Sequence, residues 1–134
     1  METSLKLAKY LAEYRHKPFV YGDYDCNIFA SEWVDQVKNT QITAGIRGQY
    51  STVREMLRFA KVKKIKKELE KAGYNPVNDN PTTGDILIRK DRSGFYHSAI
   101  VMHGFAYTMD KDQGLAKADL NTVMLPGTEI WRTA

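Results

Sequence analysis

Two residues of this 134-residue chain are suited to covalent chemistry: Cys26, its one cysteine, and His97, which opens an apolar run. A thiol beside an imidazole can form a thiolate–imidazolium pair. Cys26 follows Asp25, and aspartate is a favoured N-cap, so the thiol falls in the first turn of a helix. The positive end of the helix dipole favours a thiolate there. The free N–H groups of the same turn point at any oxyanion that develops. This outlines a cysteine hydrolase with one part missing, a group to orient His97. The competing reading makes Cys26 a small apolar residue filling a core, the usual fate of a lone cysteine. His97, next to Tyr96, would then be an interior or edge-strand histidine.

Other side chains invite weaker readings. Arg47 in "GIRGQY" could take a substrate carboxylate bidentately, or equally pin its own loop. Tyr21, Tyr24, Tyr50, Tyr96 and Tyr107 could line a groove, although aromatics in a small domain mostly build core. "KVKKIKKELEK" (61–71) carries six lysines and two glutamates. Its lysines leave Val62, Ile65 and Leu69 clear, the pattern of a solvated helix face rather than a nucleic-acid patch. His16, His97 and His103, even with Asp85 or Cys26, have no recognised ligand spacing, so neither a metal nor another cofactor is expected.

The elements that must position these residues are legible in outline. Leu5, Leu7, Ala8, Leu11, Ala12 and Tyr14 predict a helix over 4–15, with Thr3 or Ser4 as cap and Pro18 beyond its end. Phe29, Ala30, Trp33, Val34 and Val37 place one apolar face on a helix over 26–38. "STVREMLRFAKV" restarts a helix with Thr52 and Glu55 spaced as a capping box. "VKKIKKELEKAG" is a further helix with Val62, Ile65, Leu69 and Ala72 inward and Gly73 as its stop. "NPVNDNPTTG" reads as a linker. Strands are then expected at 85–90, 97–103, 105–109, 121–124 and 129–132, with "DRSG", "DKDQG" and "PGT" between them. Helices first and strands second predict an α+β domain with an antiparallel sheet, spanning 1–134 as one unit.

Composition sets broad limits. Apolar residues make up 43% and charged residues 27%, the balance of an ordinary globule. The net charge of +4 is too small to select an anionic partner. No apolar run approaches a membrane span. The charged "METSLKLAKYLAEYRHK" does not read as a secretory signal, and a single cysteine suits a reducing cytoplasm.

Four short motifs carry a resemblance. Pro18-Phe19-Val20-Tyr21-Gly22, Asp25-Cys26-Asn27-Ile28-Phe29, Gly84-Asp85-Ile86-Leu87 and His97-Ser98-Ala99-Ile100 occur in the order of the NlpC/P60 superfamily of papain-like cysteine peptidases. Phe29, Ala30, Trp33 and Val34, the Arg47-Gly48-x-Tyr50 loop and Trp131-Arg132 are similar to a small phage and prophage branch of it. The resemblance implies a papain-like fold, N-terminal helices packed on a C-terminal antiparallel sheet. It implies hydrolysis of amide or peptide bonds in bacterial peptidoglycan, with Cys26 as nucleophile and His97 as base. Tyr21, Asp25 and Arg47 become candidates for substrate binding, and Asp85 a structural turn residue. Phe19 stands where many members have tyrosine, and Asn27-Ile28 replaces Ser-Gly. The usual position of the third catalytic residue falls on Met109, flanked by Thr108 and Asp110. Asp110 is favoured, because a carboxylate best stabilises imidazolium. The implied setting is a host bacterial cytoplasm during synthesis and a virion tail afterwards, with other phage tail proteins as partners. The alternative is a catalytically inert tail or assembly component of the same fold.

Overall fold

The computed structural model describes residues 2–133, which form a mixed helical and antiparallel structure, α+β as the sequence predicts. Four helices come first: α1 (Glu2–Tyr14), α2 (Cys26–Lys38), α3 (Val53–Ala60) and α4 (Ile65–Lys71), with a 3-10 turn at Thr43–Gly45. Strands β1 (Tyr74–Val77), β2 (Ile86–Lys90), β3 (Tyr96–Met102), β4 (Phe105–Asp110) and β5 (Gly114–Asp119) follow. A helical turn, α5 (Leu120–Val123), leads to β6 (Glu129–Thr133). The strands make one six-stranded sheet in the order β1-β6-β2-β3-β4-β5, every pairing antiparallel.

Strand β2 is buried on both faces. Ile86 and Ile88 join a large core with Leu7, Tyr10 and Tyr14 of α1, Phe29, Trp33 and Val34 of α2, and Ile100 of β3. Leu87 alternates to the other face, where it meets Val101, Ala106 and Ile130, with Leu120 and Val123 of α5 packed against them. That spacing explains one departure from expectation. "TVML" was expected as a strand, but a helical turn puts Leu120 and Val123 on one side, three residues apart.

Other expectations also need correction. Helix α1 begins at Glu2, so Thr3 and Ser4 lie inside it. Its buried stripe is Leu7, Tyr10, Leu11 and Tyr14, while Leu5 is 68% exposed. Val62 precedes α4 rather than belonging to it and is 85% exposed. The expected linker begins inside β1, an edge strand paired only with β6, where Pro76 is tolerated. Strand β5 was not expected, because "GLAKAD" has little intrinsic preference for strand. Six consecutive pairs with β4 impose it.

Two aspartates brace the chain around the sheet and α2. Asp85, ahead of β2, is 2% exposed and accepts from Thr82 N. Arg132 of β6 grips it with Nε on Oδ1 at 2.9 Å and Nη2 on Oδ2 at 2.8 Å. Asp85 is therefore a structural residue. Asp25 caps α2, with Oδ1 accepting from Ile28 N at 2.9 Å. Its Oδ2 accepts from Gly22 N at 2.9 Å and from the Tyr50 hydroxyl at 2.6 Å. The loop can close this tightly because Gly22 has φ of 80° and a Cβ there would lie 1.8 Å from the Tyr50 carbonyl oxygen. Asp25→Ala removes the cap and strands two buried donors. It should lower the unfolding free energy by about 3 kcal/mol in urea denaturation. A loss of only about 1 kcal/mol, that of an exposed cap, would mean that Gly22 and Tyr50 do not depend on this carboxylate.

Candidate functional site

Cys26 opens α2 and is 4% exposed. Its thiol donates to the Tyr96 carbonyl at 3.9 Å. The neighbouring Asn27 ties the same helix end to β3. Its Nδ2 donates to Tyr96 O at 3.2 Å, and its Oδ1 accepts from the Ser98 hydroxyl at 2.6 Å. Thr108 of β4 completes the brace by donating to Ser98 O at 2.7 Å. The sulfur therefore sits against the backbone that flanks His97, at the start of β3.

The electrostatics of the thiol run against the helix-dipole expectation. Burial, and next the charge of Asp25, push the Cys26 thiol up to about 12. Backbone N–H groups of Ser98, Cys26 and Asn27 act in the opposite sense without overcoming burial. At neutral pH the sulfur keeps its proton.

His97 has a carboxylate partner, and it is Asp91 rather than Asp110. Its Nε2 lies 2.9 Å from Asp91 Oδ2. Asp91 is the first residue of the turn between β2 and β3. Its other oxygen, Oδ1, accepts from Ser93 N, the Ser93 hydroxyl and Phe95 N. The Ser93 hydroxyl, then the His97 ring, hold the Asp91 carboxyl well below the usual carboxylate range. One carboxylate thus shapes the hairpin and orients the imidazole. With Nε2 committed, Nδ1 is the ring nitrogen left to accept a proton.

Cys26, His97 and Asp91 line one cleft of about 470 Å³. Phe19, Tyr21, Val53, Phe95 and Leu125 supply much of its apolar wall, with Phe19 and Tyr21 edge to face at 4.9 Å. Tyr21 is where a substrate contact was expected. Asp25 and Arg47 are not available for that role. Asp25 is fully buried and its oxygens are engaged. Arg47 is spent on Asp23 O and on Glu32, with Nη2 to Oε1 at 2.8 Å. Asp110 reaches the cleft wall, but its Oδ2 accepts from Asp112 N and Gln113 N in the β4–β5 turn. Met109 is buried in the core, and Thr108 is bonded to β3.

Sequence reasoning missed Asp91 because the third residue was sought after the histidine. The available signal was the turn itself. Lys90 pairs with Tyr96, so Asp91 and His97 are diagonal neighbours across the hairpin and share a face. His16 and His103 are exposed and do not line the cleft. Among the described residues no group of three or more His, Cys, Asp or Glu side chains could hold a metal ion. No helix of the described residues is long and apolar enough to cross a membrane.

The buried, protonated sulfur makes a direct prediction. Alkylation of Cys26 by iodoacetamide at pH 8 should be at least about a hundredfold slower than that of an unperturbed thiol. The rate should keep climbing about tenfold per pH unit, because thiolate accumulates only as pH approaches the raised value. A plateau by about pH 9 would show that burial and Asp25 do not hold the proton on sulfur.

A comparison with curated proteins finds no match. One family model matches the chain over residues 2–132, nearly its whole length and including Cys26, Asp91 and His97. The chain belongs to that family, described as a domain of unknown function (DUF6950).

Proposed function

We propose that this protein is a cysteine hydrolase that cleaves an amide or peptide bond, with Cys26 as nucleophile, His97 as base and acid, and Asp91 orienting His97. The observation that carries this reading is that a thiol in the first turn of α2 and an imidazole held by a carboxylate line the same cleft. The motifs similar to NlpC/P60 peptidases add a papain-like fold, helices lying on the sheet, and a peptidoglycan peptide as substrate. They also favour a phage-associated protein, made in the host cytoplasm and carried in a virion tail.

The raised thiol dictates the order of events. The thiol rests protonated, so its proton leaves sulfur for His97 Nδ1 as the Sγ–C bond forms. His97 shares the sheet face of Leu87 and Arg89, whereas α2 packs on the face of Ile86 and Ile88. Among the described residues no hydrogen bond joins the thiol to the imidazole, so this step requires the half-exposed His97 side chain to move to the sulfur. Asp91 stabilises the imidazolium that results. The oxyanion is received by N–H groups at the start of α2. Breaking the C–N bond returns the Nδ1 proton to the leaving amine. Water then gives a proton to Nδ1 and attacks the thioester, releasing the acid and restoring the thiol.

A second reading has its own support. The thiol points its proton at the Tyr96 carbonyl, and the residue is almost fully buried. Both are features of a packing cysteine in an inert tail or assembly component.

Amine release from purified cell-wall fragments separates the two. The wild type should be active, and Cys26→Ala should abolish activity. Asp91→Asn should lower kcat at least about a hundredfold with little change in KM, because it disturbs the imidazole rather than the binding surface. An inactive wild type, or a Cys26→Ala variant as active as the wild type, would leave the inert component as the better account.

A further inference from the structure

We propose that Arg89 makes the cleft selective for ligands bearing a carboxylate, and that the guanidinium binds that group directly. Arg89 lies in β2 opposite His97 in β3, so the two side chains share a face, and both line the cleft. The residue is half-buried, yet among the described residues its side chain makes neither an ion pair nor a hydrogen bond. The carboxylates on the same wall already have partners. Asp91 holds its turn and His97, and Asp110 caps the β4–β5 turn. Lys111, also on the cleft wall, is a second cation without an acidic partner among the described residues. The cleft therefore offers two cations without an acidic partner among the described residues, while both of its carboxylates already accept hydrogen bonds, Asp110 through Oδ2 alone.

The rest of the wall is mainly apolar, and a cation in such surroundings attracts an anion more strongly than it would in open water. A planar guanidinium with free N–H groups matches a carboxylate bidentately, which an ammonium cannot do. The ligand class that fits is a peptide with a carboxylate close to the bond presented to Cys26. This rests on the cleft being the substrate site, but not on turnover. The acid-binding role expected of Arg47 is thereby assigned to Arg89, since Arg47 is already paired with Glu32.

The test uses binding to the full chain carrying Cys26→Ala, so that hydrolysis does not enter. The probes are acetyl-Ala-Glu-amide and its uncharged counterpart acetyl-Ala-Gln-amide, titrated by NMR or calorimetry. The Glu peptide should bind about tenfold tighter or more, and added salt should erode the difference. Adding Arg89→Ala should abolish the preference, and Arg89→Lys should restore only part of it. Arg89→Gln, which keeps the length of the stem, guards against a loss of fold and should behave like Arg89→Ala. Equal binding of the two peptides overturns the proposal. So does a preference that survives loss of Arg89, or absence of binding by either peptide at millimolar concentration. If the preference is found while the wild type hydrolyses nothing, the hydrolase reading fails and the carboxylate site stands.

Discussion

Asp25 is withdrawn from solvent with one oxygen on the Ile28 N–H and the other between the Gly22 N–H and the Tyr50 hydroxyl. The 18–25 loop, the start of α2 that follows it directly and the separate loop ending at Tyr50 thus close around a single carboxylate. The position of Cys26 follows, since it is the next residue and the first of the helix. So does the 48–50 strap, where Gly48 N donates to Gly22 O at 2.8 Å. The same carboxylate disfavours a thiolate next to it, adding to the effect of burial. What fixes the sulfur in place also keeps it protonated.

Asp91 shows the same side chain used under opposite conditions. It stands in a turn at the edge of the cleft, with hydroxyl, amide and imidazole donors around it, and its charge is favoured rather than penalised. The contrast assigns the work within the proposed mechanism. Asp25 positions the nucleophile and can do nothing for its ionisation. Asp91 positions the base and can stabilise it once it is charged. Proton transfer then has to accompany attack, because neither carboxylate favours a preformed thiolate.

How much of this was legible depended on whether local chemistry or distant pairing decided the structure. Helix α2 could be read to its ends, since Asp25 caps it and its apolar face repeats at helical spacing. The Thr52–Glu55 cap was equally local, although Glu55 reaches back to Ser51 rather than to Thr52. Strands β1 and β5 were not legible. Pro76 and the alanines of 114–119 argue against strand on their own, and only pairing with β6 and β4 overrides them. Cys26 and His97 were legible as reactive types, but burial, which decides the state of the thiol, is a property of the whole fold. Asp91 was hidden in "DRSG", whose turn character was read without asking which way its carboxylate would face.

The brace between Asp85 and Arg132 explains why the site needs the far end of the chain. Arg132 belongs to β6, the strand that separates β1 from β2. Through Asp85 it fixes the entry to β2, and β2 in turn sets the register of β3, aligning Arg89 with His97. A slip of one residue between β2 and β3 would send His97 to the opposite face of the sheet and away from Asp91. The Gly84-Asp85 and Trp131-Arg132 motifs, distant in sequence, are therefore joined through one ion pair, Asp85 with Arg132. That pair bears on the cleft by holding the strand against which the histidine is aligned.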